Sequence, residues 1–152
     1  MDASVAWEKE TTVDSREDTT EKCIKLEFPE TLSEVYFIKL WLLEDGKILS
    51  DNFYHASRKG INYQALKQLP EVTLDCQAKM AQDKEGNWTA TVTLTNPTST
   101  PALMTRINVV GDKDGDQFLP ILYEDNYFAL LPGEQKEVSA VGKMLIPGEI
   151  LL

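Results

Sequence analysis

The sequence predicts an all-β fold, an antiparallel β-sandwich. Three observations point to it. Apolar residues recur with period two along most of the chain. Clusters of Asp, Asn, Gly and Pro punctuate these runs at intervals of about 8–12 residues. No segment of 10–15 residues carries the 3.6-residue period that an α/β fold would need.

The segment SVAWEKETTVDS reads as a short strand with apolar residues at Val5, Trp7 and Val13. From Glu21, EKCIKLEF sets Leu26 and Phe28 between charges, and Pro29 ends it because proline cannot donate to a ladder. From Val35, VYFIKLWLLE is rich in aromatic and branched residues and reads as a central strand buried on most of both faces. Trp41 lies within it and is expected in the core. Asp45-Gly46 is a two-residue hairpin signal, and KILSDNFYHA returns as the partner strand. RKGINYQALKQL breaks the rhythm, with a helical turn expected around Tyr63 to Leu66, and reads as a linker.

After Pro70 the alternation restarts. EVTLDCQAKMAQ places Val72, Leu74, Cys76, Ala78 and Met80 on one face. DKEGN is a turn, and WTATVTLTN alternates Trp88, Ala90, Val92 and Leu94. Asn96-Pro97 opens a loop, ALMTRINVVG is a strand, and GDKDGD over Gly111 to Asp116 is a hairpin. QFLPILY is a strand interrupted by Pro120, hence an edge or a bulge. EDNYFALLPGE turns a corner, and QKEVSAVGKML is the last strand.

The chain has 152 residues, 42% hydrophobic and 26% charged, enough to bury a core in one or two small domains. Its formal net charge is −10. Phosphate backbones and anionic lipid attract surplus Lys and Arg, so neither nucleic acid nor membrane is expected as a partner. No apolar run approaches the roughly 20 residues of a membrane-spanning helix. MDASVAWEKE has no basic stretch followed by an apolar one, so no signal peptide is expected.

Candidate chemistry is sparse. Cys23, Trp41 and Cys76 imitate the Cys–Trp–Cys order of antibody domains, but Leu74 stands where a tyrosine would precede the second cysteine. Two buried free thiols are expected instead. His55 is the one histidine, with Asp51 and Ser57 alternating along the same strand. Any strand of mixed composition offers such a trio, and a structural histidine is the expected reading. Asp112, Asp114 and Asp116 suggest calcium, yet Gly115 and Tyr123 do not fall at the glycine and glutamate positions of a helix-loop-helix calcium loop. A solvated turn explains the same residues. Asn87-Trp88-Thr89 fits a glycosylation sequon. The three tryptophans sit in strand periodicity, where packing is the expected use ahead of sugar stacking. No catalytic, cofactor-binding or metal-binding residue is assigned, and no cofactor is expected.

Several stretches, taken in order, carry a resemblance. They are YFIKLWLLEDGKILSDNFYHAS, LPEVTLDC and TVTLTNPTSTPALMTRINVVGDKDGDQFLPILYEDNYFALLPGE, with SDNFY and LPILYEDNYFALLPGE the most specific. Together they closely resemble the C-terminal immunoglobulin-like β-sandwich region of glycoside hydrolase family 2 enzymes of the exo-β-D-glucosaminidase and β-mannosidase type. Two departures stand out. The family usually shows a tryptophan where His55 stands, and a longer segment before the Leu69-Pro70 pair.

The resemblance implies a division of the chain. Residues 1–57 look like the second half of one immunoglobulin-like sandwich, 58–69 a linker, and 70–152 the C-terminal sandwich. It further implies a non-catalytic accessory role in a retaining β-glycosidase. The partners would be a catalytic (β/α)₈ barrel and neighbouring sandwich domains of the parent chain. The barrel glutamates that do the chemistry in such enzymes match no position here. A carbohydrate-binding module is the alternative, and an independent enzyme using His55 is the reading least favoured. Self-association through unfinished edges is a further expectation.

Overall fold

The computed structural model describes residues 3–14, 16–110 and 119–143. It is all-β and antiparallel, as the sequence predicts. The chain divides into two compact units, Ala3–Leu69 and a second that begins at Pro70.

The first unit is built on one hairpin, β1 (Val35–Glu44) and β2 (Lys47–Ser57). The turn between them places Asp45 at φ 50° and Gly46 at φ 76°, the left-handed pair that a type I′ turn requires. The register runs from Val35 opposite Ser57 to Glu44 opposite Lys47, with one break between Leu42 and Leu43. Arg58 ties the approach segment down. Its backbone N–H donates to the Glu34 carbonyl at 2.9 Å, and its guanidinium donates to the carbonyls of Glu30 and Leu32 at 2.6 and 2.9 Å. Phe28 packs on Tyr36 with ring centroids 5.2 Å apart. A 3₁₀ turn, Gln64–Gln68, stands where the helical turn was expected.

Three expectations fail in this unit. SVAWEKETTVDS and EKCIKLEF form no strand among the described residues. Their alternation is real, but among the described residues they join no ladder, and strands exist only in pairs. The third concerns β1, which is not buried on both faces. Val35 is buried, whereas Leu40, Trp41, Leu42 and Leu43 are exposed. Trp41 is 45% exposed and is therefore not core. A two-stranded ribbon has no second layer, so apolar composition alone cannot remove its side chains from water.

The second unit is a two-sheet sandwich. One sheet has the order β3-β4-β8-β6, from β3 (Asp75–Gln82), β4 (Asn87–Thr95), β6 (Ile121–Tyr123) and β8 (Gln135–Lys143). The other pairs β5 (Ala102–Thr105) with β7 (Phe128–Leu130). β4 alternates as read: Trp88, Ala90, Val92 and Leu94 are buried, and the threonines between them face outward. The core joins Val92, Leu94 and Val138 of the first sheet to Ala102, Phe128 and Leu130 of the second, with Ile107. A second cluster gathers Trp88, Ala90, Val109 and Ala140. Pro120 immediately precedes β6, which is an edge strand, as its proline predicts.

Burial of β3 differs from expectation. Cys76, Ala78 and Met80 do share one face, opposite Leu94, Val92 and Ala90. All of β3 is nevertheless exposed, because the two-stranded second sheet packs against β4 and β8. The buried-thiol expectation fails too: Cys76 is exposed with the rest of β3, and Cys23, in the first unit, is free and exposed outside any strand. The corner EDNYFALLPGE also contains a strand, β7, too short for any period to announce itself. GDKDGD lies outside the described residues.

Candidate functional site

The histidine trio does not assemble. His55 and Asp51 share a strand face, but four residues at about 3.3 Å each separate them by about 13 Å, too far for a hydrogen bond. The His55 ring instead meets the edge of Tyr63, centroids 5.0 Å apart and planes at 83°. Ser57 Oγ accepts from the Lys59 N–H at 3.4 Å. These are packing contacts of a strand end, and no nucleophile, base and orienting acid stand in line.

Among the described residues, no three His, Cys, Asp or Glu side chains converge as a metal would require. Among the described residues, Asp83 is the carboxylate held clearly below its ordinary range. The Asn87 side chain donates to it at 2.8 Å, and the N–H groups of Glu85 and Asn87 add bonds of 2.8 and 2.9 Å. This closes the β3–β4 turn. It also occupies the amide of Asn87, the acceptor residue of the sequon, while Trp88 beside it is buried.

A groove of about 290 Å³ runs beside β6, lined by Arg106, Val109, Ile121, Tyr123, Asn126 and Tyr127 among others. Three of its polar side-chain and backbone sets are already committed, those of Asn126, Tyr123 and Ile107. Asn126 Oδ1 accepts from the Ile107 N–H at 2.8 Å, and its Nδ2 donates to the Ile107 carbonyl at 2.9 Å. That exchange is what a neighbouring strand would offer, supplied here by one side chain. The Val109 N–H donates to Tyr123 Oη at 3.0 Å. Tyr127 sits at φ 60°, with its N–H donating to Asn126 Oδ1 at 3.1 Å. The groove is a stitched corner of the sandwich.

Asn96 is the second such stitch and is fully buried. Its Nδ2 donates to the carbonyls of Thr100 and Leu130 at 2.8 and 2.9 Å, and its Oδ1 accepts from the Thr98 N–H and hydroxyl. Sequence reasoning placed a loop here and missed the buried amide. The adjacent Pro97 marks only the turn.

The tryptophans divide three ways: Trp7 half-buried, Trp41 exposed and Trp88 buried. Trp41 shares a face of β1–β2 with Phe37, Phe53 and His55. Phe37 stacks on Phe53 at 5.3 Å, and the Lys39 ammonium lies 5.5 Å from the Trp41 ring.

With no catalytic cluster among the described residues, the decisive observation is one of kinship. Residues 52–145 match the family model of the exo-beta-D-glucosaminidase Ig-fold domain. The chain belongs to this family. The match runs from within β2 to the end of β8, so the Ig-fold domain takes in the whole described sandwich. Exo-beta-D-glucosaminidase of Hypocrea jecorina is 29% identical over 133 residues, covering 73% of this chain and 15% of that protein. The Arthroderma benhamiae exo-beta-D-glucosaminidase is 27% identical over 121 residues, covering 69% of this chain and 14% of that one. The exo-chitosanase CsxA of Amycolatopsis orientalis superposes with a TM-score of 0.67 at 27% identity, over 75% of this chain and 16% of CsxA. The chain thus spans about 15% of the length of the curated relatives it matches. Those relatives are multidomain glycoside hydrolases in which an Ig-fold domain is a small part.

Proposed function

We propose that this chain is a non-catalytic accessory region of a retaining β-glycosidase of the exo-β-glucosaminidase type. Residues 70–152 serve as a C-terminal immunoglobulin-like sandwich that packs against a catalytic (β/α)₈ barrel supplied by the rest of the parent. Residues 1–57 supply the second half of the preceding sandwich, joined by residues 58–69. The observation that carries the reading is the family match over residues 52–145. The hairpin β1–β2 supports it, because its apolar residues are exposed on both faces, as they would be if further strands normally cover them.

Glycoside hydrolysis needs two carboxyl groups positioned in one pocket. The 152-residue chain should therefore release no phenol from aryl β-D-glucosaminide or aryl β-D-mannoside. Turnover that disappears in His55→Ala would overturn the reading.

A carbohydrate-binding module is the second reading, favoured by the exposed Trp41 sharing a face with Phe37 and Phe53. Titration with glucosamine oligosaccharides, followed by tryptophan fluorescence, separates the two. A saturable change abolished in Trp41→Ala identifies a binding module, and a flat titration identifies a packing domain.

A further inference from the structure

We propose that the outer edge of β3 is a self-complementary docking strand for a second copy of this chain, joining two four-stranded sheets into one continuous sheet across a two-fold axis. The argument starts from how the edges of the molecule are finished. A sheet edge presents unpaired N–H and C=O groups and recruits strands unless it is short, bulged or carries proline. The β6 edge is three residues long with Pro120 immediately before it. The ribbon β1–β2 is broken by an irregularity between Leu42 and Leu43. β5 and β7 have four and three residues.

β3 has none of these devices. It runs for eight residues, contains neither Pro nor Gly, pairs with β4 in unbroken register, and is exposed along its whole length. Among the described residues its other edge has no partner strand.

Charge and side-chain parity then select the partner and the register. When two identical antiparallel strands meet about an axis perpendicular to the sheet, opposed residues must share a face, so the axis passes through one residue and its own copy. Centring on Lys79 would set two ammonium groups against each other. Centring on Gln77 sets Asp75 of each copy opposite Lys79 of the other, twice, on the face that β4 lines with threonines. Opposite charges directly across a strand pair are favourable. On the other face the same register opposes Cys76 with Ala78, twice, so small apolar groups meet there. An open edge of neutral net charge whose one acid and one base are two-fold complements fits a copy of itself.

The test is sedimentation of the 152-residue chain across a dilution series, with Asp75→Lys, Lys79→Asp and the double exchange. The wild type should dimerise. Each single reversal converts two favourable pairs into two like-charge pairs and should weaken the dimer by roughly tenfold or more. The double exchange restores the pairs and should restore the dimer. Both positions are exposed, so the fold itself has little stake in them. Gln77→Cys, in a Cys23→Ser/Cys76→Ser background, should form an intermolecular disulfide under mild oxidation, since Cα atoms of directly opposed residues lie within disulfide reach. A monomer at every concentration overturns the proposal. So does a dimer indifferent to both reversals, which would place the contact on the apolar hairpin β1–β2. Failure of Gln77→Cys to cross-link a dimer overturns the register and with it the charge argument.

Discussion

Gly142 is the position where one methyl group should do most damage. It pairs with Trp88 on one side and Ile121 on the other. A Cβ built on it would lie 2.5 Å from Trp88 Cζ2, 2.9 Å from Cε2 and 3.2 Å from the Pro120 carbonyl oxygen. The indole cannot step aside, because it is 1% exposed and packed among Ala90, Val109 and Ala140. Overpacking of this kind costs about 1–3 kcal/mol. Replacing a strand glycine returns about 0.5–1 kcal/mol of chain entropy. A contact as short as 2.5 Å sits at the severe end of that cost, so the net loss for Gly142→Ala is about 2 kcal/mol, or a fall in thermal midpoint of roughly 8–16 °C for a unit of this size. Thermal melts followed by circular dichroism would measure it, in wild type and in a Trp88→Phe background. Phenylalanine lacks the atoms that clash, so the alanine penalty should shrink there, a coupling that a double-mutant cycle isolates. An unchanged midpoint in Gly142→Ala, or an equal penalty in both backgrounds, would refute the packing argument.

Asn96→Ala should cost about 1–3 kcal/mol, because it takes the amide donor from the buried Leu130 carbonyl and leaves Thr100 only the Thr98 hydroxyl; chemical denaturation would show it. Trp41→Ala should cost about 1–2 kcal/mol in a denaturant titration, short of the roughly 3–5 kcal/mol of a fully buried aromatic, since the ring is 45% exposed. Asp83→Ala should destabilise at neutral pH and much less in acid. The folded-state pKa of Asp83 is depressed, so its contribution is present above the ordinary value of 3.8 and is lost as pH falls through the lower folded value. Melts between pH 7 and pH 2.5 should show the wild-type and Asp83→Ala curves converging at the acid end.

The elements that sequence reveals are those whose pattern is local. β4 declares itself through Trp88, Ala90, Val92 and Leu94, and the β1–β2 hairpin through Asp45-Gly46. What periodicity cannot report is whether anything lies opposite. Cys76, Ala78 and Met80 alternate as regularly as the residues of β4, yet they face water because β5–β7 packs elsewhere. Leu26 and Phe28 alternate with charges but join no ladder among the described residues, even though Phe28 packs on Tyr36 of β1. Trp41 sits among apolar neighbours and is exposed for want of a second layer. The two buried or half-buried amides, Asn96 and Asn126, carry no periodic signal at all. Their roles depend on carbonyls and N–H groups distant in sequence. The family resemblance, resting on ordered stretches of composition and motif, was legible where those three-dimensional facts were not.

The clamp at Asn126 and Tyr123 has a consequence for how this surface can change. The start of the connection from β5 to β6 is posted twice to the sandwich, Ile107 by the Asn126 amide and Val109 by the Tyr123 hydroxyl, and its far end is β6 itself. The entropy of closing a segment between fixed posts grows only with the logarithm of its length, about 0.6 kcal/mol for each doubling. Residues inserted between Val109 and Ile121 therefore tax the core very little, whereas insertion between Ile107 and Val109 would pull a post loose. The domain keeps its framework independent of what is grafted there.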